Sequence, residues 1–362
     1  MNAEIMKAKG GASAIATMTF DDGLYKTAEK LNELCEKYDA RASLMLCTHK
    51  VNDDTADYWR ELFGKGYLFP ESHSTRHHYL TNSHPENLTE EVITSEIEGS
   101  VETLKHYLPD YDYLSFGIPY SSYAPVAFEH LFRTFYSVRG GVCVLVDKKY
   151  TGQVQSLDPI PGSNEVGGWY RPLGIRVMPE KANITTADYS AITVENIIAH
   201  LDRCVELGGW FISGTHGIVE GENLDIKAED LERILSRMQE HSRAGKLWVT
   251  DVGTATKYMR ERQNASLECE ECEGGCTVTV TLAKTTADGL PLDVTATGSD
   301  GKVRRVFSEP LTVKLELPEG TRAVAYTLRG EEKKALAFTE GDRAYAYVDV
   351  VPSGDTVTVR FE

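Results

Sequence analysis

The chain changes period once, and that change limits what it can fold into. Between Ala14 and about Gln263, short apolar runs alternate with stretches whose apolar residues recur at helical spacing. From Thr277 onward apolar and polar residues alternate one by one, as in Thr277-Val278-Thr279-Val280-Thr281-Leu282 and Thr356-Val357-Thr358-Val359-Arg360-Phe361. The first pattern belongs to βαβ units, whose strands are joined by crossover helices and lie parallel. The second is the two-residue period of antiparallel strands with one wet face. The sequence therefore predicts an α/β fold in two domains. Residues 1–263 form a TIM-like (β/α) barrel, complete or with strands missing, and residues 264–362 form an antiparallel β-sandwich.

Local signals place the elements. Strands are expected over Ala14 to Phe20, Ala42 to Cys47, Tyr67 to Phe69, Leu114 to Ile118, Tyr136 to Val146 with an interruption at Gly140-Gly141, Trp210 to Ser213 and Leu247 to Val249. Leu24 to Tyr38 reads as a helix because Leu31, Leu34 and Cys35 share a face opposite Lys and Glu. Further helices are expected over Asp57 to Gly64, from a Thr89 cap to about Leu108, and over Pro125 to Phe135, Thr193 to Leu207, Ala228 to Ala244 and Gly253 to Gln263. Residues 148–187, rich in proline and glycine, read as a long active-site loop region.

The formal net charge of -17 over 362 residues argues against nucleic acid or an anionic membrane surface as partner. No window approaches the roughly 18 apolar residues of a membrane span. Met1 to Gly10 lacks the apolar core of a signal peptide, which leaves a cytoplasmic protein or a secreted one whose leader has been removed. The sequence leaves the oligomeric state open.

Two stretches carry the chemistry. Thr19-Phe20-Asp21-Asp22-Gly23 ends the first strand in adjacent carboxylates, whose side chains splay apart and can take different tasks. His73-Ser74-Thr75-Arg76-His77 follows the third strand, and two histidines four apart converge on one point from a helical turn or a tight loop. One carboxylate and two imidazoles are a facial ligand set for zinc, cobalt or iron. The other aspartate is then free to act as a base on metal-bound water.

These stretches resemble the polysaccharide deacetylases of the NodB-homology type, the fourth family of carbohydrate esterases. The family's TFDDG stands at Thr19 to Gly23, and its H-[S/T]-x-x-H at His73 to His77. The resemblance covers about the first two-thirds of the chain. It implies a metal-dependent hydrolase that removes N- or O-acetyl groups from an acetylated glycan, with a divalent ion, zinc first and cobalt or nickel as alternatives. It implies Asp21 as general base, and Asp22, His73 and His77 as metal ligands. His216, at the end of the strand from Trp210, takes the role of proton donor to the leaving group. The negative charge suits a neutral or basic glycan better than a polyanionic one.

Two positions depart from the family pattern. Its R-x-P-[Y/F] reads Gly117-Ile118-Pro119-Tyr120 here, so the arginine that pairs with the base is missing, while Tyr120 keeps the position whose backbone N–H helps bind the oxyanion. Two residues before His216, Gly214 replaces the usual aliphatic residue. Arg171, in Gly168-Trp169-Tyr170-Arg171, is the substitute expected for the arginine, and Trp169 and Tyr120 are the aromatics expected to meet sugar. His78 reads as solvent-facing and Trp210 as core. Cys35, Cys47, Cys143 and Cys204 read as buried free thiols; Cys269, Cys272 and Cys276 read as a free or disulfide-linked hairpin rather than a zinc site. The rival reading is a non-catalytic carbohydrate-binding or scaffold protein on a degenerate barrel, and the departures at Gly117 and in the unrecognised fourth motif favour it.

Overall fold

All seven residues of the strand Ala14–Phe20 (β1) are buried, and their alternation sorts two environments. Ala14, Ala16, Met18 and Phe20 enter the main apolar core beneath the helices. Thr17 and Thr19 face the other way, where Thr17 Oγ1 accepts from Trp210 Nε1 at 3.0 Å and Thr19 Oγ1 donates to the Ser213 carbonyl at 2.8 Å. This period-two sorting recurs on the neighbouring strands and decides what reaches the barrel mouth.

The computed structural model describes residues 1–121, 123–139, 143–146, 149–152, 155–156, 193–223, 226–287 and 289–362. In chain order after β1, the barrel elements are α1 (Tyr25–Tyr38), β2 (Ala42–Leu46), α2 (Ala56–Gly64), β3 (Leu68–Ser72), α3 (Glu90–Tyr107), β4 (Ser115–Gly117), α4 (Pro125–Thr134) and β5 (Ser137–Arg139). Then come α5 (Val194–Leu207), β6 (Gly209–Thr215), α6 (Ala228–Arg243), β7 (Leu247–Val249) and α7 (Val252–Asn264). Thr89 caps α3, its side chain accepting from the Val92 N–H.

The sheet runs β5-β4-β3-β2-β1-β6, with β7 joined to the start of β1. All these pairings are parallel. A short strand, Gln155–Ser156, adds antiparallel beside the start of β6. The architecture is thus the expected parallel (β/α) barrel in an incomplete form. The strand expected to be interrupted at Gly140-Gly141 becomes two elements: β5 stops at Arg139, and Cys143–Val146 pairs antiparallel with Lys149–Gly152 in a separate ribbon. Part of the stretch expected as loop is therefore strand, and residues 157–192 lie outside the described residues.

The chain separates into two units. One contains residues 14–256 and 296–304; the latter belong to a hairpin, Thr295–Thr297 with Val303–Arg305. Asp110 accepts from the Ser299 backbone and hydroxyl, and Asp112 pairs with Arg304. The other contains residues 1–13, 257–295 and 305–362. It is built of two antiparallel sheets, one of four strands and one of five. The first thirteen residues fall here because Ala3–Ile5 pairs antiparallel with Leu311–Leu317. Apolar residues at alternate positions, Val278 and Val280, Leu311, Val313 and Leu315, and Ala346, Val348 and Val350, are all buried, as the two-residue period predicts. Cys269, Cys272 and Cys276 are free thiols on the hairpin Ala265–Cys272 and Gly275–Leu282.

Candidate metal and catalytic site

The inward rows of neighbouring strands end together at the C-terminal edge of the sheet. On β1 the row Thr17, Thr19 continues to Asp21; on β3, Glu71 continues to His73. On β4 and β5, Ser115 and Ser137 share a hydrogen bond, and two residues on stand Gly117 and Arg139, paired in register. On β6, Phe211 enters the helix-side core, which leaves Gly214 on the inward row, and the Asp21 N–H donates to the Thr215 carbonyl at 2.8 Å. Functional groups at this edge follow the general rule for parallel barrels.

Three donor atoms surround one point. His73 Nε2 and His77 Nε2 are 3.1 Å apart, and Asp22 Oδ1 is 3.6 Å from the first and 3.5 Å from the second. A triangle of those sides has a circumradius of about 2.0 Å, which is the bond length of zinc to imidazole nitrogen or carboxylate oxygen. His73 Nδ1 lies 2.7 Å from the Gly117 carbonyl. A carbonyl only accepts, so Nδ1 carries the proton and the Nε2 lone pair faces the point, the usual tautomer of a ligating histidine. Burial pushes His73 down to about 4 and lowers His77 as well, so both rings are neutral near pH 7, as ligands must be. The residues fit a divalent ion. Cys47 Sγ, 3.9 Å from Asp22 Oδ1, adds a soft donor, and Asp22, Cys47 and His73 all place ligand atoms within 4.8 Å of one another.

The loops that present these groups are bent against their own preference. Asp22, Ser74, His77 and Tyr120 have φ of 71°, 66°, 62° and 56°, in the left-handed region that side chains avoid. Such strain persists only where surroundings enforce it, and it gathers at functional sites. The enforcing contacts are specific. Lys50 Nζ donates to the Asp22 carbonyl at 2.7 Å, and the His77 N–H donates to Ser74 Oγ at 2.9 Å. Glu96, buried on α3, accepts from the backbone N–H of Arg76 and of His78, gripping the loop on both sides of His77.

Asp21 stands beside the triangle rather than in it, with Oδ2 4.0 Å from His73 Nε2. Arg139 Nη2 donates to Asp21 Oδ1, and the two residues are only 6% and 8% exposed. Burial alone would raise the Asp21 carboxyl, but the guanidinium, with His73 and His216, outweighs it and holds the group below the usual aspartate range. His216, directly after β6, is close enough for its charge to act on both Asp21 and His77. The arrangement can hold a cation, keep a carboxylate ionised beside it, and offer an imidazole from the end of the adjoining strand β6.

Residues 9–132 match the family model described as polysaccharide deacetylase. That segment belongs to the polysaccharide deacetylase family. The matched residues of the deacetylase segment include Asp21, Asp22, His73, His77 and Tyr120, and stop before Arg139 and His216. A comparison with curated proteins found no match. Among solved structures, the chain is similar to a family 4 acetyl xylan esterase from Clostridium thermocellum in complex with a cobalt ion, at 16% identity, over 67% of this chain and 89% of that one, with a TM-score of 0.40. It is similar to a putative polysaccharide deacetylase from Mycobacterium smegmatis at 10% identity, over 72% and 94%, with a TM-score of 0.46. It is also similar to a family 4 pseudoenzyme from Bacillus anthracis at 10% identity, over 67% and 65%, with a TM-score of 0.42.

The histidines of the deacetylase segment converge from a tight loop, not a helical turn. Tyr120 lies at the mouth, 46% exposed, its ring edge-on to His77 at 4.4 Å and stacked on Tyr79 at 3.5 Å. His78 is exposed and Trp210 buried, as expected. Trp169 and Arg171 lie outside the described residues. Arg139 is what sequence reasoning missed. Its signal was available: an arginine two residues beyond Ser137, on the same face of a strand whose intervening Val138 is core.

Proposed function

We propose that the chain is a metal-dependent hydrolase that removes N- or O-acetyl groups from a carbohydrate. The observation that carries this reading is the three-atom triangle of Asp22, His73 and His77 with a second, ion-paired carboxylate beside it. Asp22, His73 and His77 would hold a divalent ion, zinc first and cobalt or nickel as alternatives; bound there, such an ion supplies Lewis acidity and lowers the pKa of water. Asp21, ionised beside the triangle, takes a proton from the attacking water at its Oδ2. Arg139 holds Oδ1 and so aims the free oxygen. His216, across the mouth, protonates the departing sugar nitrogen or oxygen. The backbone N–H of Tyr120 stabilises the developing oxyanion, and the exposed Tyr120 ring meets the sugar. Trp169 and Arg171 stay candidate substrate contacts. The net charge of -17 supports a neutral or basic glycan as partner.

The rival is a non-catalytic carbohydrate-binding protein, and the glycine at position 117 is the observation in its favour. An acetate-release screen separates the two. The purified chain is assayed with zinc, cobalt or nickel on acetylated chito-oligosaccharide, peptidoglycan and acetylated xylan, beside a calorimetric metal titration. Metal-dependent release from any of them supports the hydrolase. Stoichiometric metal binding with no release from all of them supports the rival, and absence of metal binding removes both the ion and the mechanism.

A further inference from the structure

Two glycines at the barrel mouth are not there for their backbone. Gly117 ends β4 and Gly214 lies within β6, neither with positive φ, and glycine in a strand costs stability unless something approaches closely. What approaches is Arg139. A Cβ on Gly117 would stand 2.7 Å from Arg139 Nη2, with His73 Nδ1 at 3.0 Å and Met45 Cγ at 3.2 Å next, and a Cβ on Gly214 would stand 2.8 Å from Nη1. The far end of an arginine ordinarily swings aside, but this one is buried and paired with Asp21, so yielding would break that pair. Both are positions at which the chain departs from the pattern of the family it resembles.

We infer that Arg139 carries out, from the neighbouring strand, the positioning of the base that the family motif assigns to the residue at 117, and that Gly117 and Gly214 are glycine because its guanidinium fills their side-chain space. The register supports it directly: Gly117 and Arg139 are Cα partners across β4 and β5. In a parallel pair such residues point to the same side, so an arginine moved by one strand re-enters the mouth from the adjacent slot and reaches the same carboxylate. The two departures then describe a single relocation, and loss of the motif arginine is not loss of the base's partner. The catalytic half of this inference rests on the proposed deacetylase function; the packing half does not.

The test is a pair of double-variant cycles. The first uses melting temperature alone. Gly214→Ala is expected to lower it in the parent chain. In an Arg139→Gly background it has no further effect, because the one contact below 3.0 Å, to Nη1, goes with the guanidinium, and Thr19 Oγ1 at 3.4 Å is an ordinary van der Waals neighbour. An equal drop in both backgrounds overturns the shared-space assignment. The second cycle reads acetate release. Arg139→Gly is expected to lower kcat about 10²-fold with little change in KM, the scale of a misplaced catalytic group, and adding Gly117→Arg to that variant brings kcat back. An Arg139→Gly chain at parental kcat overturns the positioning role. So does a relocated double variant that melts like the parent yet turns over no faster than the single variant. If the parent itself releases no acetate, the functional proposal falls, while the melting cycle still decides the relocation.

Discussion

Replacing Asp21 by asparagine tests the division of labour between two adjacent carboxylates. Asp22 Oδ1 belongs to the donor triangle, whereas Asp21 Oδ2 lies 4.0 Å from His73 Nε2, beyond the 3.6 Å of Asp22 Oδ1. The variant is therefore expected to bind one equivalent of metal with parental affinity by calorimetric titration. Loss of a general base costs about 10²–10⁴-fold in rate, or about 3–5 kcal/mol in the barrier, so acetate release falls by that factor at saturating metal. Stability falls too. Asp21 and Arg139 are both less than a tenth exposed, so solvent screening does not discount their pairing. Breaking a buried pair costs about 3–5 kcal/mol, and the asparagine oxygen, still an acceptor, puts the loss at the lower end. At about 2–4 °C per kcal/mol for a unit of this size, the melting temperature drops by about 6–12 °C, which leaves the variant folded at 25 °C for assay. A kcat within about ten-fold of the parent, smaller than the least effect of a lost base, would refute the role given to Asp21. Loss of the metal would refute its place outside the triangle.

Three further outcomes follow from the same geometry. Asp22→Ala removes one of three donors, so its metal affinity is expected to fall by more than the about 10–100-fold typical of an outer partner; an unchanged titration curve would place the ion elsewhere. Glu96→Ala frees the N–H groups of Arg76 and His78 and is expected to weaken metal binding by about 10–100-fold while sparing the Asp21–Arg139 pair; unaltered affinity would show that the loop keeps its shape unaided. In metal-free protein, His73 has a folded pKa of about 4 against 6.5 for a free imidazole. Between those values the unfolded chain binds more protons, so stability declines as pH falls through that window, by up to about 1.4 kcal/mol per pH unit. Asp21, whose pKa is depressed, contributes its own loss only at still lower pH. A melting temperature independent of pH across the window, followed by calorimetry, would contradict a buried neutral His73.

The barrel was legible because its strands are long enough to show burial and its helices amphipathic enough to show a face; α1, α4 and α6 lie within a residue or two of where periodicity puts them. The candidate ligand residues could be named because each motif is contiguous and resembles the family's own. What was not legible depended on contacts between distant parts of the chain. Ala3–Ile5 carries no period of its own and is a strand only because Leu311–Leu317 offers an edge. Gly140-Gly141 marked the break after Arg139, but not that Cys143–Val146 pairs with Lys149–Gly152 instead of rejoining the parallel sheet. Cys47 looked like one more buried thiol, and only the fold sets its sulfur against Asp22.

Gly117 shows why a missing motif residue is weak evidence for lost activity. A motif records groups in chain order, whereas a barrel mouth depends only on where the groups arrive. Neighbouring strands lie about 4.8 Å apart, less than the reach of an arginine side chain, so a guanidinium can move one strand sideways and still meet the same carboxylate. Such a move cannot be made in isolation. The vacated position must stay small, and so must any residue that the new path crosses, which is the pattern at Gly117 and Gly214. The buried arginine paired with Asp21 and four strained backbone positions gather around one point. Strain of that kind gathers at functional sites, and it weighs for the hydrolase over the scaffold.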